Sequence, residues 1–82
     1  MHGIVRGVHA SAGRFYAECS DGTFALFTVA GGRIPYGGEF VCWESEKAPI
    51  EMVTGGTSGS IQVKDARVGL TLLEAQYLIA LP

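Results

Sequence analysis

The sequence predicts a mostly-β domain, a small antiparallel barrel of five or six strands followed by one short C-terminal helix. Turn-forming residues recur at short intervals, with 12 glycines among 82 residues, and this spacing is typical of all-β sandwiches and barrels. Several of the runs between the turns alternate apolar and polar residues, which is the period of a β-strand. After residue 70 the apolar spacing becomes helical. We therefore expect one domain, with the barrel over about residues 2–68 and the helix over about residues 72–80.

The first two strands are predicted on either side of a turn at residues 10–13. The first covers about residues 2–9 and contains β-branched residues, which favour strands. The second covers about residues 14–19 and alternates, with Phe15, Ala17 and Cys19 on its apolar face. Asp21 and Gly22 then predict a hairpin turn, because this pair tolerates positive φ angles.

The third and fourth strands, predicted over about residues 23–29 and 39–45, are apolar on both faces. In the fourth, Phe40 and Cys42 lie on one face, and Val41 and Trp43 lie on the other. A small barrel has one interior, so placing Phe40 and Cys42 inside leaves Val41 and Trp43 outside. Large exposed apolar patches mark interaction sites. We therefore expect the C-terminal helix, a second copy or another protein to cover this surface.

The rest of the chain predicts two more strands and the helix. The strands cover about residues 50–54 and 60–68 and are joined by a glycine-rich loop. Thr71 and Glu74 fit a capping box at the start of a helix. The helix is apolar around most of its circumference, which predicts that it is buried, either against the end of the barrel or against another chain.

Composition argues against several functional classes. Six basic residues stand against eight acidic ones, for a net charge of −2, whereas a dedicated duplex-binding protein has a basic surface. We expect no signal peptide, and the sequence has no apolar run long enough to cross a bilayer, so we expect a cytoplasmic protein with no membrane contact. Cys19 and Cys42 fall on faces predicted to point inward, which indicates buried thiols. We find no motif for a metal or a cofactor and predict that the chain is not an enzyme.

Two segments share a pattern of glycines and apolar residues with a known family. The first has Gly3, Val5 and Arg6 in its opening strand and Gly13 in the turn that follows, and the second is residues 34–42. Over about residues 3–54 the chain resembles the cold-shock type of OB-fold barrel. The resemblance implies an OB-like barrel, and an SH3-like or Sm-like barrel would give nearly the same strand pattern.

The same resemblance implies binding of single-stranded nucleic acid on the second and third strands, where bases stack on aromatic side chains. Tyr16 matches one of the family's aromatic positions, and Phe27 stands near a position that is histidine in the family. Gly7 and Arg14 stand where the family has aromatic residues. The fold is therefore expected to carry over better than the activity.

Two functional hypotheses remain open, and a small-molecule sensor ranks behind both. The preferred one is a non-catalytic protein-interaction module that forms a homodimer or docks on a larger assembly. Its predicted interface consists of Val41, Trp43, Leu73, Tyr77 and Leu81. The alternative is a module for single-stranded nucleic acid, whose predicted binding face consists of Arg6, His9, Arg14, Tyr16 and Phe27. For Trp43 and Phe27, a place in the core is the stronger interpretation of the pattern.

Overall fold

Six antiparallel strands close into a barrel in the computed structural model, which describes residues 1–56 and 59–82. The strand order around the barrel is β1-β2-β3-β6-β5-β4, and β4 pairs back with β1. The predicted fold class, a mostly-β barrel with one short C-terminal helix, is confirmed. The elements are β1 His2–His9, β2 Arg14–Cys19, β3 Phe24–Gly31, β4 Phe40–Cys42, β5 Ile50–Thr54, β6 Ser60–Leu70 and α1 Leu72–Ile79.

The strand bounds agree with the predicted ones most closely in β1, β2 and β5. β3 extends to Gly31, and β6 extends to Leu70 because β3 provides antiparallel partners along its length. β4 is shorter than predicted, with three residues. A single 3₁₀ turn joins β1 to β2 and ends at Gly13, whose φ of 68° is left-handed. Residues 57–58 of the predicted loop before β6 lie outside the described residues.

The interior of the barrel holds one side of each strand, as strand alternation requires. Three aromatic rings meet there: Phe15 and Phe27 have centroids 5.2 Å apart, and Phe27 and Trp43 have centroids 5.0 Å apart. The buried residues of this barrel core are Val5, Phe15, Ala17, Ala25, Phe27, Val41, Trp43, Ile50, Met52, Ile61 and Val63.

The fourth strand has the opposite orientation to the one predicted. Val41 and Trp43 are buried inside the barrel. Val41 pairs with the buried Gly3 of β1, and residues directly opposite each other in a sheet share a face. The large indole of Trp43 also fills interior volume against Phe27. The prediction that Val41 and Trp43 lie on an external interface is therefore wrong, whereas the core position that the pattern favours for Trp43 and Phe27 is the one observed. The β4 side chains that face outward are Phe40 and Cys42.

A bulge in β1 gives the outer surface its shape near the helix. The pairing with β2 shifts between Val5 and Gly7, so Arg6 has no direct partner and Gly7 lies opposite Tyr16. The ring of Tyr16 lies directly over Gly7, where an added Cβ would come within 2.2 Å of Tyr16 Cε2. Glycine at this position therefore leaves the space that the tyrosine ring occupies.

The helix α1 packs against the outer face of β2 and β3. Its predicted capping box is present: the Thr71 hydroxyl accepts from the Glu74 N–H at 3.1 Å, and Glu74 Oε1 accepts from the Thr71 N–H at 3.0 Å. Ala75 is fully buried between the helix and the barrel, in a second cluster with Tyr16 and Leu26. This outer cluster is separate from the barrel core. In the described part of the chain, no helix has the length and apolar character needed to cross a membrane.

Candidate functional site

Within this chain the helix α1 is buried on one side only, so the barrel covers part of its apolar circumference and leaves the rest open. Ala75, Leu78 and Ile79 face the barrel. On the opposite side Leu73 is 78% exposed and Tyr77 is 68% exposed. Residues four apart lie on the same face of a helix, so these two side chains form a single apolar stripe, here called the helix stripe.

The third predicted helix residue, Leu81, does not continue this stripe. It lies beyond the end of α1, and its N–H donates to the Leu78 carbonyl. It remains partly exposed but lines a groove beside Leu26 and Arg14. Of the predicted protein interface, the structure therefore brings together Leu73 and Tyr77 on one open surface.

Arg14 holds the C-terminal end of the helix. Its Nη1 donates to the carbonyl oxygens of Leu78 at 3.0 Å and of Ile79 at 3.2 Å. The last carbonyls of a helix have no partner within it, and a cation there also meets the negative end of the helix dipole. Arg14 therefore acts as a cap for α1 and fixes the helix against β2.

The predicted nucleic-acid face does not exist as one open surface. Tyr16 is buried under α1, and Phe27 is in the barrel core. Their burial is explained by the helix, which covers the outer face of β2–β3, and by strand alternation, which turns Phe27 inward. These two aromatic rings cannot stack on bases in this structure.

The basic members of that predicted face are also occupied or separated. Arg6 Nε donates to Glu18 Oε1 at 3.1 Å in an exposed ion pair. His9 is half-buried, with its Nδ1 3.2 Å from the Ser11 hydroxyl. Arg14 faces the helix end. Arg6 thus lies in the ion pair, His9 beside the turn between β1 and β2, and Arg14 at the helix cap. Tyr16 lies in the outer cluster, and Phe27 lies in the barrel core.

A second apolar surface lies on the outer side of β1, β4 and β5. The rings of His2 and Phe40 stack with centroids 5.4 Å apart and planes at 26°. Cys42 pairs with His2 on one side and with Val53 on the other, and Val53 is 58% exposed. Since α1 covers β2 and β3, this strand surface and the helix stripe lie on roughly opposite sides of the barrel.

Two grooves open at the end of the barrel where Trp43 lies, and a third groove, with Arg6 and Glu18 at its wall, opens beside His2 and Phe40. Of the two grooves at Trp43, the larger has a volume of about 620 Å³ and the smaller about 260 Å³. Met1, His2 and Trp43 belong to the walls of both. The larger groove also has Glu44 and Glu51 at its wall. The smaller one has Asp21 and Glu46.

The carboxylate of Asp21 accepts two hydrogen bonds from its neighbour Thr23. Thr23 donates to Asp21 Oδ1 from its hydroxyl at 2.7 Å and from its backbone N–H at 3.0 Å. These hydrogen bonds stabilise the carboxylate and hold the pKa of Asp21 below its ordinary value. The charged form of Asp21 is therefore favoured at the wall of the smaller groove.

The two cysteines are free and lie in different surroundings. Burial, and then the carboxylate of Asp21, raises the pKa of the half-buried Cys19 thiol. Cys42 is exposed, so the prediction that both thiols point inward is wrong for Cys42, for the same reason that Val41 points inward. Within residues 1–56 and 59–82, no three metal-binding side chains come together.

The outward Phe40 and the acidic grooves were not predicted from the sequence. β5 carries a signal that locates part of this surface, since the charged Glu51 alternates with Ile50 and Met52. A charged side chain is almost never fully buried without a partner, so Val53 shares the outer face with Glu51. β4 has no charged residue within its bounds and gives no such signal.

Comparisons of the chain with protein-family models, with curated proteins and with solved structures find no match. What these surfaces bind is therefore inferred from their own shape and charge.

Proposed function

We propose that this chain is a non-catalytic protein-binding module that forms a homodimer through the helix stripe of α1. The observation that carries the proposal is the exposure of Leu73 and Tyr77 on one helix face, away from the barrel. Exposed apolar side chains at helical spacing are the usual means by which one helix packs on another. Tyrosine is also among the residues that contribute most to binding at interfaces.

A second copy of the chain fits this stripe by symmetry. Two antiparallel copies of α1 related by a two-fold axis place Leu73 of one copy against Tyr77 of the other, and the reverse. This reciprocal contact is what a two-fold interface requires. The Glu74 carboxylate does not obstruct the stripe, because it is drawn back to the Thr71 N–H.

The size of the stripe sets the expected strength of the dimer. A standard protein interface buries about 800 Å² on each partner, and two side chains with their immediate neighbours cover less than that. We therefore expect a reversible dimer that dissociates on dilution, with a dissociation constant in the high micromolar range.

Sedimentation of the full chain over a range of concentrations tests the proposal. We expect the average mass to rise from that of a monomer towards that of a dimer as concentration increases. Leu73→Glu should weaken the dimer about tenfold or more, equivalent to at least about 1.4 kcal/mol, because it places a carboxylate against the partner's apolar stripe. A negative charge in the first helical turn is favourable for the helix itself, so the monomer should stay folded.

Val53→Glu is the matched control, because it makes the same type of exchange at an exposed apolar residue across the barrel. It should leave the dimer unchanged. A chain that remains monomeric at millimolar concentration would overturn the proposal. If Leu73→Glu and Val53→Glu weaken association equally, the dimer contact does not lie on the helix stripe.

Single-stranded nucleic acid remains the alternative proposal, and it has weaker support. The OB-like pattern of residues 3–54 favours it. The covered position of Tyr16 and the inward position of Phe27 count against it, since binding on β2–β3 would require α1 to leave the barrel.

A further inference from the structure

We propose that the two grooves beside Trp43 together bind a basic, partly apolar peptide segment of a partner protein. This site is independent of the proposed dimer, because it lies on β4, β5 and the connections at one end of the barrel, whereas the dimer uses the outer face of α1. Its evidence is the distribution of charge, the apolar wall and the joined shape of the grooves.

Charge at the walls of the two grooves is one-sided, although Lys47 and Arg67 adjoin the wall residues Glu46 and Val68 along the chain. Asp21, Glu44, Glu46 and Glu51 are half of the eight acidic residues of the chain, and all four are at the walls of the two grooves. Of the six lysine and arginine side chains, none is among the described wall residues, and none of the four carboxylates forms an ion pair with them. The Met1 amino group also lies here and donates to the Trp43 carbonyl oxygen at 2.8 Å, so the carboxylates outnumber it.

The walls between these charges are apolar. Trp43, Pro49, Ile50 and Val53 line the larger groove. The Nε1 donor of Trp43 is buried and makes no hydrogen bond with any described residue, although a buried indole N–H usually has a partner. Trp43 is 3% exposed and its indole packs on Phe27 in the barrel core, so this donor is not open to an occupant of either groove, and the grooves meet only the outer edge of the residue.

The shape of the site favours a peptide segment over a small organic cation. The two grooves share three wall residues, so the site consists of two adjoining parts. An extended segment projects successive side chains to opposite faces, which lets apolar side chains enter the grooves while lysine or arginine side chains reach the carboxylates at the rim.

The emission of Trp43, the single tryptophan of the chain, reports directly on the site. The probes are a capped peptide that alternates lysine and leucine, its counterpart with glutamate in place of lysine, and capped lysine amide. We expect the basic peptide to shift the emission in a saturable manner, and the other two to have no effect up to about 1 mM, the weak end of specific binding. The affinity should fall as ionic strength rises from about 0.01 M to about 0.1 M, because the screening length shortens from about 30 Å to about 10 Å.

Two variants locate the binding. Glu44→Gln should weaken the binding of the basic peptide by about two- to fivefold, the range for an exposed charge pair. Asp65→Asn removes a charge of the same sign from the exposed face of β6, outside both grooves, and should leave the affinity unchanged.

Each contrary result overturns the proposal in a distinct way. Equal binding of the basic and acidic peptides would remove the role of charge, and equal binding of lysine amide would reassign the site to small cations. Equal weakening in Glu44→Gln and Asp65→Asn would show that only net charge matters. Leu73→Glu should not change peptide binding, so failure of the dimer and failure of this site are distinguishable.

Discussion

At the scale of single residues, the contact between Gly7 and Tyr16 makes a sharp prediction about stability. In Gly7→Ala the added Cβ meets the ring of Tyr16 at 2.2 Å, and the ring is held under the helix, so it cannot move without disturbing the outer cluster. Overpacking of this kind costs about 1–3 kcal/mol. We expect that loss in the free energy of unfolding, measured by urea denaturation.

Gly37→Ala is the control for this substitution. No atom lies within 4 Å of the position of its added Cβ, so the change should be neutral or stabilise the protein by about 0.4–1 kcal/mol. In a Tyr16→Leu background, Gly7→Ala should cost less, because the ring that it meets has been removed. If the stability losses of Gly7→Ala and Tyr16→Leu add fully in the double variant, the ring of Tyr16 is not the cause of the loss in Gly7→Ala.

At the scale of elements, the capping box predicts how firmly the helix starts at Leu72. Thr71→Ala removes the hydroxyl that accepts from the Glu74 N–H and should destabilise the protein by about 1 kcal/mol. Thr71→Ser keeps the hydroxyl, so its stability should stay close to that of the parent protein. Thermal unfolding followed at the helix signal in circular dichroism checks both, and equal stability of the two variants would contradict the cap.

The sequence predicts elements better than it predicts which side of an element faces inward. The Thr71–Glu74 spacing and the turns around Gly13 and Gly22 are local signals, and the helix and the first three strands follow from them. In β4 both alternating faces are apolar, so the pattern allows two orientations that differ by one residue. The choice depends on contacts with β1 and with Phe27, which come from distant parts of the chain.

The candidate site shows the same division between local and distant information. The exposure of Leu73 and Tyr77 follows from helical spacing, once one knows which side packs on the barrel. That side is set by Tyr16 and Leu26 on β2–β3, and the helix sequence alone, apolar nearly all round, does not reveal it. The acidic residues of the grooves come from the β2–β3 connection, the β4–β5 connection and β5, so their common location appears only in the folded chain.

At the scale of the whole molecule, two apolar clusters are stacked on one sheet layer: the barrel core inside and the outer cluster beneath α1. The strands of β2 and β3 take part in both. A helix of eight residues is unstable in water by itself, so the outer cluster and the helix should be lost together. The pairings that close the six strands involve no helix residue, so we expect the barrel core to persist without the helix.

Ala75→Glu tests this separation in the full chain. The side chain of Ala75 is fully buried against the barrel, and an unpaired carboxylate there would cost more than the packing of one short helix contributes. We expect α1 to undock and lose its helical signal, and an apolar dye to bind the uncovered Tyr16 and Leu26. The emission of Trp43 should keep its buried character, since Trp43 belongs to the barrel core.

Gln76→Glu adds the same charge at the neighbouring exposed position and should leave the helix docked. If Ala75→Glu also moves the emission of Trp43 to that of a solvated indole, the two clusters form one cooperative unit, and the barrel requires its helix. A barrel that persists with Tyr16 uncovered would, in contrast, present the β2–β3 face to solvent. Measuring oligonucleotide binding by that variant would then test the alternative function with its predicted aromatic residue exposed.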